Sequence, residues 1–78
     1  MSPEQLQQQI LQAMPGARVK VHSDDNVHYS ARIISPDFEG RSRIERHRLV
    51  HAAIGPGLGH EIHALSLDLK APDEAGEA

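Results

Sequence analysis

The apolar residues of this chain recur at helical spacing, then at every second position, then at helical spacing again, and finally at every second position, all within 78 residues. A helix buries a face of period 3.6 and a strand a face of period 2, so such a chain must mix the two. With so short a chain, the elements have to share one thin core. The pattern predicts a single α+β domain in the order αββαβ.

The first helical stretch is well punctuated. Ser2 suits the cap, Pro3 the first helical position, and Gln5 completes the spacing of a capping box. Leu6, Ile10, Ala13 and Met14 then form one stripe, and Pro15-Gly16 stops the helix. Arg18 to His22 alternates with its valines facing in, Ser23-Asp24-Asp25-Asn26 reads as a polar turn, and Tyr29 to Ser35 resumes with Tyr29, Ala31 and Ile33 on one face. These two runs predict an antiparallel hairpin with a loop of about five residues. A second helix is expected over Ser42 to Ile54, with Ile44, His47, Val50 and Ile54 on its inner arc and Ala53 at the border. Gly55-Pro56-Gly57-Leu58-Gly59 breaks it, and Ile62 to Leu69 reads as a third strand with His63, Leu65, Leu67 and Leu69 on one face. A right-handed crossover through the second helix makes the second and third strands parallel. The expected fold is a three-stranded mixed sheet with both helices on one face, comprising residues 1–70, with residues 71–78 as a disordered acidic tail.

Composition removes several functions. The chain has no cysteine, so it has no disulfide, thiol nucleophile or thiolate metal site of its own. Aromatic residues make up 3%, too few for a platform stacking several bases, and a net charge of −3 does not draw nucleic acid or acidic membranes to the chain as a whole. No apolar run approaches the ~18 residues of a membrane span and no signal segment opens the chain, so a cytoplasmic protein is expected. What stands out is six histidines.

Phe38-Glu39-Gly40, then Ser42-Arg43, Arg46-His47-Arg48-Leu49-Val50, Ile62-His63-Ala64-Leu65-Ser66 and Ala71-Pro72-Asp73-Glu74 together resemble the BolA family. The separation of F-x-G…S-x-x-x-R-H-R-L-V from I-H-A-L-S makes the resemblance specific, and it covers nearly the whole chain. It implies a fold like that of class II KH domains. It also implies a monothiol glutaredoxin partner, bound through a shared 2Fe–2S cluster to which the partner's cysteine and glutathione contribute, and a role in iron homeostasis. For some members it implies transcriptional control. By the same resemblance His63 corresponds to the family's hallmark histidine ligand. His28, just after the hairpin loop, corresponds to the position of the second ligand. Family members continue beyond this point with an aromatic and a short terminal helix, whereas here small and acidic residues follow Glu74.

From the residues alone the histidines have plainer readings as well. His63 reads equally as a cap over leucines at a strand mouth, and His28 as a solvated loop residue. His47 fits a partly buried core position, and His22 a strand end in solvent. His47 and His51 have zinc-binding spacing on a helix but lack a third ligand beside them, while His60 and His63 on a strand point to opposite faces. Histidine nitrogen is a competent iron ligand, and a chain without cysteine needs its partner to supply thiolates.

Half of the eight Lys and Arg residues are Arg41, Arg43, Arg46 and Arg48, a candidate contact for a partner or for nucleic acid. On a helical wheel Arg46 and Arg48 lie about 200° apart, so no single arginine face forms. Gly40-Arg41-Ser42-Arg43 lacks the second glycine of the KH loop that clamps nucleic acid, and no Ser-His-acid arrangement or catalytic carboxylate pair stands out. The chain therefore reads as a non-enzymatic adaptor, with a DNA-binding regulator using the arginine-rich helix as the alternative. The isolated chain is expected to be a monomer or weak dimer that holds no cluster alone.

Overall fold

The computed structural model describes residues 2–55 and 64–76. Helix α1 (Pro3–Ala13) starts at the Ser2 capping box: the Ser2 hydroxyl accepts from the Gln5 amide at 3.2 Å and the Gln5 side chain accepts from the Ser2 amide at 2.8 Å. Leu6, Ile10 and Met14 are buried as the stripe predicts, whereas Ala13 is exposed.

Strands β1 (Arg18–His22) and β2 (His28–Ile34) pair antiparallel, with Val21 opposite Ala31, and are joined by a five-residue loop, 23–27. Strand β3 (Ala64–Lys70) pairs parallel to β2, giving the order β1-β2-β3. The parts of the expected third strand at Ile62 and His63, and the break at 56–59, lie outside the described residues. Buried and exposed residues alternate along β2, so Tyr29, Ala31 and Ile33 face the helices while His28, Ser30 and Arg32 face solvent.

Helix α2 (Arg43–Ile54) opens with a second capping box, Ser42 with Glu45, whose S-x-x-E spacing was already present in the sequence. Its inner face differs from the expected arc. Val50 and Ile54 are buried, but Ile44 is 64% exposed and Arg46, Leu49 and Ala53 turn inward in its place. The reason is steric: Phe38, fully buried on a short 3-10 turn (Pro36–Phe38), takes the space under the start of α2 and brings Arg46 over its ring, 5.9 Å from the centroid. Gly55 ends the helix at φ 80°, ψ −171°, backbone essentially closed to other residues, and the Gln9 side chain donates to the Ile54 carbonyl, tying α1 to this end.

One cluster joins Leu6, Ile10, Tyr29, Ile33, Phe38, Val50 and Ile54, with Leu65, Leu67 and Leu69 packed against it. Both helices therefore cover the same sheet face. Residues 71–76, expected to fray, instead turn back on the domain: Ala71 is buried, and Glu74 accepts from the Ala71 amide at 2.8 Å and meets Arg46 at 2.7 Å.

Candidate functional site

The β1–β2 loop is organised by two side chains that mimic backbone turns. The Ser23 hydroxyl donates to the His28 carbonyl at 2.7 Å and accepts from the Asn26 amide at 2.9 Å. Asp25 Oδ1 accepts from the amides of Val27 and His28, each at 2.9 Å. Asn26 takes the left-handed conformation, φ 57°, which asparagine tolerates. The second oxygen of Asp25 lies 2.8 Å from His28 Nδ1. The His28 amide, then its ring, then the Val27 amide hold the Asp25 carboxyl well below the ordinary carboxylate range, so it is ionised and acts as an acceptor.

His28 thus opens β2 on the solvent face with its side chain 69% exposed. Across the sheet it is in register with Ala64, the covalent neighbour of His63. His63 and His60 lie outside the described residues. Around His28 runs a shallow groove lined by His22, Ser23, Asp25, Ser30 and Ser66. His22 is exposed there, and its Nε2 is 3.1 Å from Asp24 Oδ1. Among the described residues no group of three or more His, Asp and Glu side chains is placed to hold a metal ion by itself. Asp25 went unnoticed as more than a turn residue; its position three before a candidate ligand was the available signal.

The arginines lie elsewhere. Arg41, Arg43 and Arg46 line a groove with His47, Lys70 and Glu74, between the start of α2 and the end of β3. Six strand steps separate Ala64 from Lys70, so this groove is about 20 Å from the His28 end of the sheet. Arg46 is 14% exposed and its donors are engaged within the domain, to Glu74, the Leu69 carbonyl at 3.2 Å and the Arg41 carbonyl at 3.0 Å. Arg41 Nε donates to the Asp37 carbonyl at 2.9 Å. Arg48 lies on the outer face of α2 with Ile44 and His51. The wheel separated Arg46 from Arg48 correctly but could not show Lys70 arriving beside Arg43 from β3.

A mixed three-stranded sheet under one helical layer, with a histidine-bearing hairpin loop at one end, defines a small αββαβ domain. The model of the BolA-like protein family matches residues 5–74, and the chain belongs to that family. The structure of a BolA homologue from Coxiella burnetii superposes with a TM-score of 0.87 at 35% identity, covering 99% of each chain. The chloroplastic protein BOLA1 of Arabidopsis thaliana is 39% identical over 59 residues, 76% of this chain and 37% of that protein. The DNA-binding transcriptional regulator BolA of Haemophilus influenzae is 36% identical over 47 residues, 60% of this chain and 46% of that protein. The chain thus matches less than half the length of these two curated relatives. No helix among the described residues is long and apolar enough to cross a membrane.

Proposed function

We propose that the chain is a non-enzymatic adaptor that partners a monothiol glutaredoxin through a shared 2Fe–2S cluster, in iron–sulfur cluster handling and iron homeostasis. The observation that carries this reading is the Asp25–His28 pair. Its carboxylate lies 2.8 Å from Nδ1, while Nε2 has no partner among the described residues. A carboxylate on one ring nitrogen with the other left open is the arrangement of metal-ligating histidines. The donor chemistry fits the cluster, because histidines replace two thiolates on one iron in Rieske centres. His28 would take one position and His63, next in sequence to Ala64, the other. The absence of cysteine leaves the thiolates to the partner's cysteine and to glutathione. The cluster, as cargo, would supply the redox-active iron; in this chain the Asp25 carboxylate orients the His28 imidazole, which stands on the solvent face of the sheet.

The test is to combine the chain with a monothiol glutaredoxin, glutathione, iron and sulfide and record visible absorption and circular dichroism. A spectrum distinct from that of the glutaredoxin alone supports the reading. One identical to it sinks the proposal.

A second reading, a DNA-binding regulator, is favoured by the groove of Arg41, Arg43 and Lys70 and by the name of the Haemophilus relative. In it the phosphate backbone would follow that groove, away from the histidine loop, so the two activities could be removed separately.

A further inference from the structure

We propose that Asp25 is a positioning residue for His28, fixing the imidazole in the tautomer whose Nε2 lone pair is free for iron. This rests on the reading of His28 as a cluster ligand. Closing the loop requires Asp25 Oδ1, which accepts from the Val27 and His28 amides at 2.9 Å. It does not require Oδ2, which nevertheless lies 2.8 Å from His28 Nδ1. An ionised carboxylate can only accept, so Nδ1 must carry the proton. In the neutral ring the lone pair then sits on Nε2, the nitrogen without a partner among the described residues. One carboxylate therefore sets the loop backbone with one oxygen and the state of the ring with the other. The restriction matters most for an exposed histidine, because no packing around it holds the ring.

Asp25→Asn separates the two tasks. The amide oxygen keeps both backbone bonds, since turning it toward the ring would exchange two good bonds for one and set the NH₂ against two N–H donors. The NH₂ then faces Nδ1 and donates to it, which drives the ring proton to Nε2. The first measurement is the ¹⁵N spectrum of histidine-labelled free protein, above the pH at which the ring is charged. The wild type is expected to show the protonated nitrogen at Nδ1 and Asp25→Asn at Nε2, with the backbone amide spectrum otherwise kept. The second is the visible circular dichroism of the complex with glutaredoxin and glutathione, where Asp25→Asn should resemble His28→Ala. A wild-type ring protonated at Nε2, or a tautomer that Asp25→Asn leaves unchanged, overturns the proposal without any cluster. A cluster spectrum that His28→Ala alters and Asp25→Asn does not overturns the positioning role alone. If His28→Ala leaves the wild-type spectrum unchanged, His28 is not a ligand and the inference falls with that assignment. Absence of a distinct spectrum for the wild type instead sinks the shared-cluster reading itself.

Discussion

Arg46 and Glu74 meet at 2.7 Å, joining the start of α2 to the turn that follows β3. The same Glu74 carboxylate accepts from the Ala71 amide, and the same arginine nitrogen donates to the Leu69 carbonyl. The contact closes the domain over its last strand and keeps Ala71 buried.

Acid should loosen that closure. The Ala71 amide, followed by Arg46, holds the Glu74 carboxyl below the usual glutamate range. A group whose pKa is depressed on folding stabilises the fold above its unfolded value, about 4.3, and loses that contribution as pH falls through the folded value. Denaturation midpoints of the wild type are expected to fall more steeply below about pH 5 than those of Glu74→Gln. Parallel pH profiles would show that the pair is not coupled to folding.

Phe38→Ala should be among the most damaging single changes. Its ring is fully buried under Arg46 in the main cluster, and removing such a side chain costs about 3–5 kcal/mol. A domain of this length holds roughly 4–12 kcal/mol in total, so the loss removes from about a quarter of that stability to all of it, and urea denaturation should show a midpoint far below that of the wild type. Phe38→Leu, which keeps most of the volume, should lose less. A Phe38→Ala midpoint within experimental error of wild type contradicts this packing.

His63→Ala is expected to abolish the spectrum of the mixed complex, and His28→Ala to change it less, since water or another loop donor can replace an exposed ligand. Far-ultraviolet circular dichroism checks that both variants fold; for His28→Ala, truncating an exposed side chain changes stability by only about 0.5 kcal/mol. A wild-type spectrum from His63→Ala returns that residue to a strand-mouth cap.

DNA binding by the isolated chain should be weak and steeply salt-dependent. Net charge is −3 and Arg46 is engaged inside the domain, leaving Arg43, Lys70 and part of Arg41 to face the groove. Fluorescence polarisation across a salt series should lose roughly one unit of log–log slope for each of Arg43→Ala and Lys70→Ala, whatever the DNA sequence. Nanomolar, sequence-dependent binding at physiological salt would favour the regulator instead.

Much of the fold was legible locally. The α1 cap, the two hairpin strands and the five-residue loop were readable because capping and period-2 burial are written within a few residues of one another. Ile44 misled because it satisfies the helical period of α2, yet which arc faces inward was set by Phe38 arriving from a preceding turn. Asp25 is local too, but its second contact depends on Asn26 adopting a left-handed turn between two strands in fixed register.

The sequence by itself determined the element order, the single thin core and the absence of any thiolate, since periodicity and residue type decide these without reference to distant contacts. Tertiary structure alone decided that the arginine groove and the histidine loop occupy opposite ends of the sheet. The parallel register sets His28 beside Ala64 and Ile34 beside Lys70, and the helix between the two strands must run back from the far end, where the arginines around its start remain.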